Sequence, residues 1–188
     1  MARALVSPSP PSPAQTLWLH LMNSRLAVAA AIEGNSPAGG CMLALTADER
    51  IMAKGKFTIG LNETRLGIVA PLWFIDAFRA AVGQRQSERL LQLGEMVTSA
   101  EALQLGLVDQ VVPVEEVRET AIATLERYLQ IPASARHLTK VAARQDIVAR
   151  LADNIEPDLQ RFADFAAQPA VQKGLGKYLE SLSARAKK

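Results

Sequence analysis

Apolar residues follow two alternating spacings along the first part of this 188-residue chain. Continuous apolar runs such as Leu26–Ile32 are typical of buried strands, whereas apolar residues three and four positions apart, as in residues 71–82, predict helices. Strand signals and helix signals alternate in this way as far as Pro113. The alternation predicts an α/β core over residues 14–113.

The pattern changes after Pro113, where helical periodicity continues almost without strand signals. Breaks are expected near Pro132, Pro157 and Pro169, because proline disrupts the interior of a helix. Residues 114–188 are therefore predicted to form a helical C-terminal region attached to the α/β core.

The beginning of the chain has a composition of its own. Residues 1–13 include four prolines and three serines, which predicts a disordered, polyproline-like arm. An amphipathic helix is expected from Gln15 to Arg25, followed by the Leu26–Ile32 strand.

A glycine-containing turn follows that strand. Ser36 is a favourable N-cap and Pro37 suits the first helical position, so a helix is predicted to start there. The first amides of a helix have no acceptor within the helix. Because Pro37 has no amide hydrogen, the first free donors would belong to Ala38, Gly39 and Gly40.

Two interpretations of Gly39 and Gly40 remain open at this point. Glycine within a helix costs about 1 kcal/mol relative to alanine, so two in succession call for a reason. One reason is an oxyanion site, in which bare amides at the positive helix end face an oxygen that gains charge. The other is close packing of the turn, since glycine-rich turns are common.

Glu63 lies between Gly60 and Gly67 in the largely apolar stretch from Ile59 to Pro71. A charge in apolar surroundings is costly unless it is paired, solvated or useful. Functionally, Glu63 would be a lone base whose pKa is raised by its apolar neighbours. Structurally, it would be a loop residue that pairs with Arg65 or caps a helix.

Composition excludes several classes of function. The formal net charge of +2, without a basic stripe or a nucleic-acid motif, predicts no binding to nucleic acid. No apolar run approaches the ~18 residues of a membrane span, so no integral membrane association is expected. Cys41 is the single cysteine and is interpreted as a small core residue. His20 and His137 are too few for a histidine-rich metal site.

Three segments together resemble the crotonase, or enoyl-CoA hydratase/isomerase, family. They are AAIEGNSPAGGCMLALTADERIMA from residue 30, FTIGLNETRLGIVAP from residue 57 and LLQLGEMVTSAEALQLGLVDQVV from residue 90. Within the family, PAGGC and GLNETRLGI are most similar to the mitochondrial type of 3,2-trans-enoyl-CoA isomerase. The similarity runs from about residue 14 to the C-terminus.

The resemblance implies a crotonase-like spiral of strand–strand–helix units, incomplete at the N-terminus, with a helical C-terminal region that mediates trimer formation. The family's first segment has no counterpart in this chain. That segment supplies a second oxyanion amide and much of the surface that binds coenzyme A. Whether this chain is active alone is therefore left open.

The resemblance also implies roles for individual residues. Gly39 matches the residue whose amide binds the thioester oxygen, between the substrate-binding neighbours Ala38 and Gly40. Glu63 matches the catalytic base. Hydratases of the family have a second glutamate where this chain has Met42, so the resemblance argues against hydratase activity.

Further residues are candidates for substrate contacts. Leu61, Trp73 and Phe74 would line the acyl pocket, with core packing as the alternative for each. Four lysines would meet the phosphates of coenzyme A or form a solvated helix face, namely Lys173, Lys177, Lys187 and Lys188.

The reaction implied is isomerisation of 3-enoyl-CoA to trans-2-enoyl-CoA in the β-oxidation of unsaturated fatty acids. It needs no metal or redox cofactor, because coenzyme A arrives as part of the acyl-CoA thioester substrate. A homotrimer in the mitochondrial matrix is expected by resemblance, although residues 1–32 form no convincing targeting sequence. The alternatives are a non-catalytic subunit and another reaction through a CoA-thioester enolate.

Overall fold

A computed structural model describes residues 10–186 of the protein, with side chains up to residue 180. Helix α1 spans Pro13–Met22. It begins in the predicted disordered arm because Ser12 and Gln15 form a capping box: the Ser12 amide donates to Gln15 Oε1 at 2.9 Å, and the Gln15 amide donates to Ser12 Oγ at 3.3 Å. The arm prediction is therefore wrong at Ser12 and Pro13, and residues 1–9 lie outside the described residues.

Three parallel strands form the first sheet. They are β1 (Ala29–Ile32), β3 (Glu49–Ala53) and β6 (Gln110–Val112), in the order β1-β3-β6. Ala31 is paired in register with Ile51, and Ile51 with Gln110. Strand β1 starts later than predicted and forms one edge of this sheet.

The second sheet has the order β2-β4-β5 and consists of β2 (Ser36–Pro37), β4 (Thr58–Gly60) and β5 (Val97–Thr98). The predicted helix start at Ser36 and Pro37 is wrong, because these residues pair in parallel with Ile59 and Gly60. Helix α2 begins after them, with Ala38 as its N-cap.

Helices and short 3₁₀ turns connect the strands. In chain order the remaining helices are α2 (Gly39–Thr46), α3 (Leu72–Val82), α4 (Gln84–Leu93), α5 (Ser99–Leu105), α6 (Val117–Leu129), α7 (Ala133–Ala152), α8 (Ile155–Ala166) and α9 (Pro169–Ala186). The 3₁₀ turns are Glu63–Leu66, called the Glu63 turn below, and Val114–Glu116.

After Pro113, every regular element among the described residues is helical. Helix breaks fall beside Pro132 and Pro169. Pro157, however, lies in the first turn of α8, where a proline is tolerated because the missing amide hydrogen would have no partner in the helix. None of the helices described is long and apolar enough to cross a membrane.

The core follows the two-residue repeat of strand β3. Met52 faces the main cluster of buried side chains, whereas Ile51 and Ala53 face a smaller cluster with Val117 and Ala121 of α6. The main cluster joins α1, the second sheet and several helices through residues that include Trp18, Ile59, Phe78, Leu90 and Leu107.

Buried ion pairs fix the C-terminal helices to this core. Asp48, in the loop before β3, accepts a hydrogen bond from Lys140 Nζ at 2.7 Å and from Arg144 at 3.0 Å. Lys140 also donates to the Leu26 carbonyl at 2.9 Å. Removing one partner of such a buried pair leaves an uncompensated charge, so these contacts set the position of α7.

Candidate functional site

Neighbouring parallel strands bring the glycine turn and Glu63 to the same edge of the second sheet. Pro37 of β2 is in register with Gly60 of β4, and the Ala38 amide donates to the Gly60 carbonyl at 2.9 Å. The chain therefore leaves the two strands side by side, towards α2 on one path and the Glu63 turn on the other. Glu63 is close enough to the first turn of α2 to raise the pKa of the Cys41 thiol, second to burial as a cause.

The structure corrects the prediction that the Ala38 amide is a free donor, because this amide bonds to Gly60. Ala38 has φ 49° and ψ −115°, and no other non-glycine residue described has a positive φ. Such a conformation costs of the order of 1–3 kcal/mol and is typical of functional sites. The donors at the start of α2 are then the amides of Gly39 and Gly40, which have no acceptor within the helix.

The two glycines have different surroundings. A Cβ atom on Gly40 would lie 2.9 Å from Ser36 Oγ, so this glycine allows close packing of the turn. A Cβ atom on Gly39 would have no described atom within 4 Å. The packing interpretation thus accounts for Gly40, whereas Gly39 leaves open space beside a helix amide, as an oxyanion site requires.

Glu63 is a buried carboxylate, and no ion pair among the described residues includes it. It is 5% exposed, and its Oε2 has no hydrogen-bond partner in the described chain. Burial raises the pKa of the Glu63 carboxyl, and the bond from its own backbone amide opposes this effect. The structural alternative of a pair with Arg65 does not hold, because Arg65 Nε donates to the Leu93 carbonyl at 3.0 Å.

Contacts with the end of α4 hold the Glu63 turn in place. Thr64 Oγ1 donates to the Leu91 carbonyl at 2.9 Å, beside the bond from Arg65 to Leu93. Gly94 has φ 54°, and a Cβ there would lie 2.6 Å from Thr64 Oγ1 and 3.0 Å from the Arg65 amide nitrogen. Gly94 therefore both ends α4 and allows the Glu63 turn to approach it closely.

Met42 and Cys41 belong to the core. Met42 is buried beside Cys41 and supplies no carboxylate at this position. The Cys41 side chain is fully buried, in agreement with its interpretation as a core residue, and burial raises its pKa. Within residues 10–186, no group of three or more His, Cys, Asp or Glu side chains could hold a metal ion.

The candidate acyl-pocket residues have core contacts. Leu61 and Trp73 are buried, and Trp73 Nε1 donates to Asp158 Oδ2 at 3.0 Å. Phe74 is partly buried, with its ring centroid 4.5 Å from that of Trp73. These contacts fit the packing alternative for all three residues; contact with an acyl chain stays a prediction.

Helix α9 packs against the Glu63 turn, with a Cβ on Gly174 placed 3.6 Å from the Leu66 carbonyl oxygen. Lys173 and Lys177 are exposed on this helix, which fits a solvated face and leaves both available to an anion. Lys187 and Lys188 lie outside the described residues.

An open groove of about 390 Å³ runs along the free side of β1. Its walls are residues 28–36, which include β1, and one face of α2 with Gly40, Leu43 and Ala44. The groove therefore begins beside the glycine turn and continues along an apolar sheet edge.

Comparison with known proteins gives consistent matches. The family model described as "Enoyl-CoA hydratase/isomerase" matches residues 7–187. "Enoyl-CoA delta isomerase 1, mitochondrial" from Homo sapiens is 47% identical over 169 residues, which are 89% of this chain and 56% of the relative. "Probable enoyl-CoA hydratase" from Rhizobium meliloti is 27% identical over 170 residues, 90% of this chain and 66% of the relative. This chain thus spans little more than half of the human relative.

Solved structures agree with these matches. The crystal structure of human mitochondrial delta3-delta2-enoyl-CoA isomerase has a TM-score of 0.89 at 46% identity, covering 92% of this chain and 67% of that one. An enoyl-CoA hydratase/isomerase family protein from Pseudomonas syringae has a TM-score of 0.75 at 30% identity, covering 79% of this chain and 65% of that one.

Proposed function

Because this chain belongs to the enoyl-CoA hydratase/isomerase, or crotonase, family, we propose that it converts 3-enoyl-CoA into trans-2-enoyl-CoA. The observation that supports this choice is a buried carboxylate, Glu63, whose Oε2 has no partner in the described chain and which lies near the start of α2, where the Gly39 amide has no acceptor within the helix. Met42 in the following turn supplies no second carboxylate. The 47% identity to a relative named as an isomerase supports the same choice.

The proposed reaction is a proton transfer between two carbons of the substrate. The thioester carbonyl oxygen accepts a hydrogen bond from the Gly39 amide. Glu63 takes a proton from C2, and the electrons of the C2–H bond delocalise into the thioester as an enolate. The protonated Glu63 then returns the proton to C4, while the double bond moves from C3–C4 to C2–C3. One proton leaves and one returns, so no redox or metal cofactor is needed.

The environment of Glu63 suits both halves of this cycle. Burial raises its pKa, which makes the carboxylate a stronger base and brings the pKa closer to neutral pH. The acid formed in the first step is therefore more stable than an exposed glutamic acid would be. Water addition would need a second group to orient and activate the water, and Met42 cannot do this.

The test of this proposal is the fate of a 3-enoyl-CoA substrate incubated with the purified chain. We expect trans-2-enoyl-CoA as the product, with hydration of 2-enoyl-CoA negligible beside isomerisation in the same sample. Comparable hydration and isomerisation rates would contradict the single-carboxylate mechanism. Self-association without any turnover would favour the alternative of a non-catalytic subunit.

The proposal also covers the substrate class, the metabolic role and the cellular compartment. The substrate is an acyl-CoA thioester, so coenzyme A enters with it, and a role in the β-oxidation of unsaturated fatty acids follows. The names of the human, mouse and rat relatives support a mitochondrial location, which we propose to be the matrix.

We propose a homotrimer formed through the helical C-terminal region. Exposed apolar side chains around the α6–α7 junction support an interface there: Leu129 is 77% exposed, Leu138 is 66% exposed and Ile131 is 51% exposed. Exposed apolar residues that lie together are typical of protein–protein interfaces.

A further inference from the structure

Asn62 is the N-cap of the Glu63 turn, but its side chain does not cap it. An asparagine in this position normally accepts a hydrogen bond from an amide of the first turn. Here the Arg65 amide instead donates to the backbone carbonyl of Asn62 at 3.1 Å. Asn154, the N-cap of α8, provides a comparison: its side chain does not cap either, but it donates to the Arg150 carbonyl at 2.9 Å.

The side-chain oxygen of Asn62 is buried and has no hydrogen-bond partner in the described chain. The adjacent Glu63 Oε2 is in the same state. Buried acceptors without a donor are rare in native proteins and call for an explanation. The two oxygens cannot satisfy each other while Glu63 is ionised, because a carboxylate only accepts hydrogen bonds.

Holding the turn together does not explain Asn62, since other groups do so. Thr64 and Arg65 donate to the last carbonyls of α4, and the Ile68 amide donates to the Glu63 carbonyl at 3.1 Å. The Asn62 side chain takes part in none of these bonds. It therefore offers an acceptor for a donor that the resting protein lacks.

We propose that Asn62 is a positioning residue for Glu63, with its Oδ1 accepting a hydrogen bond from the protonated Glu63 carboxyl. This inference rests on the proposed function, in which Glu63 is protonated between the two proton transfers. The proton passes from C2 to Glu63, is donated in a hydrogen bond to Asn62 Oδ1 while the enolate exists, and leaves that hydrogen bond when it passes to C4; Asn62 neither gains nor loses a proton. Its role is to orient the acid between the two steps.

Asn62 should then shift the titration of Glu63 in a defined direction. A bond donated by the acid stabilises the neutral form, so removal of the acceptor lowers the Glu63 pKa. A carboxylate at position 62 adds a negative charge and raises the pKa of Glu63.

Other titratable or charged groups lie on the elements near the Glu63 turn. They are Cys41 on α2, Arg85, Glu88 and Arg89 on α4, Glu95 after α4, Arg65 within the turn, and Lys173, Lys177, Tyr178 and Glu180 on α9.

The experiment is an NMR titration of the chain labelled with ¹³C-glutamate, in which the Glu63 signal is assigned by its absence from Glu63→Gln. We expect Asn62→Ala to lower the Glu63 pKa and Asn62→Asp to raise it, each by at least ~0.5 unit. Asn154→Ala is the matched control and should leave the value unchanged. Asn62→Ser, which retains an N-cap residue but is shorter, should follow Asn62→Ala.

An unchanged Glu63 titration in Asn62→Ala and Asn62→Ser would overturn the proposal, as would shifts of equal direction in Asn62→Ala and Asn62→Asp. Lower thermal stability with an unmoved titration would assign Asn62 a structural role and overturn it too. The titration needs no turnover, so its outcome is independent of the isomerase assay. In active protein, Asn62→Ala should lower kcat about tenfold, leave KM nearly unchanged and move the acid limb of kcat/KM to lower pH.

Discussion

Neighbouring glycines at the start of α2 meet different requirements, although the sequence gives them the same appearance. Gly40 accommodates Ser36, whereas Gly39 faces open space next to the edge that bears Glu63. The packing interpretation therefore fits Gly40, whereas the oxyanion interpretation stays a prediction for Gly39. Whether a Cβ atom would fit at a glycine depends on residues from other parts of the chain. The sequence alone therefore could not tell which of the two glycines is needed for packing.

Alanine substitutions at Gly39 and Gly40 should change the stability of the protein in opposite directions. Gly39→Ala should stabilise the protein by roughly 0.5–1 kcal/mol, since alanine is the better helix former and meets no atom. It should nevertheless weaken acyl-CoA turnover, because its methyl group occupies the space beside the amide. Gly40→Ala should destabilise the protein by displacing Ser36. Urea unfolding and turnover measured on both variants check this; a stability loss in Gly39→Ala would contradict the open-space assignment.

Glu63 should cost the protein stability at neutral pH. Its folded pKa is raised, so the folded state binds the proton more strongly than the unfolded state does. The contribution of Glu63 to stability is therefore most favourable below the ordinary carboxyl pKa of about 4.3 and is lost as the pH rises through the folded value. Glu63→Gln should melt at a higher temperature than wild type at pH 7, with a smaller difference near pH 4. Thermal melts across this range would refute the burial argument if the variant were less stable at pH 7.

Among the secondary-structure elements, periodicity and capping residues in the sequence predict most of the helices. They fail where segments distant in the chain pair with each other. The capping box of Thr98 and Glu101 begins α5, and left-handed glycines end α4 and α5, so residues close in sequence set these helix ends. Ser36 and Pro37 looked like a helix start, but pairing with β4 holds them in a strand. The Glu63 turn also escaped prediction, because the bonds that fix it come from α4, which lies later in the chain.

Gly94 should be more sensitive than other helix-ending glycines, because it also contacts the Glu63 turn. Gly106 is the matched control: it has φ 74°, but its added Cβ would approach the Ala81 carbonyl oxygen only to 3.5 Å. In both alanine variants, the left-handed backbone conformation costs about 1–2 kcal/mol. Gly94→Ala should lose more stability than Gly106→Ala and should also reduce turnover. Equal losses by urea unfolding would show that the contact with Thr64 and Arg65 is unimportant.

At the scale of the whole molecule, the predicted family and the crotonase-like fold are confirmed by the family match and by the TM-score of 0.89 to the human isomerase structure. The sequence could predict these because the motifs around Gly39 and Glu63 are distinctive. It could not show how α9 packs on the Glu63 turn or how α7 is fixed at Asp48, since both depend on residues far apart in the chain.

The chain should self-associate in solution. Strand β1 has a free apolar edge along an open groove, and unpaired edges favour association. Light scattering after size exclusion should show species larger than a monomer. A cooperative monomer at every concentration tested would contradict this expectation.

The most direct test of the central claim follows a deuterium label from C2 to C4. A 3-enoyl-CoA deuterated at C2 is incubated in ordinary water with the purified chain, and the product is examined by NMR and mass spectrometry. We expect trans-2-enoyl-CoA with part of the label at C4, because buried Glu63 returns the proton that it took. In Glu63→Gln, kcat should fall by several orders of magnitude. Product formation by Glu63→Gln at a rate near that of wild type would contradict the claim.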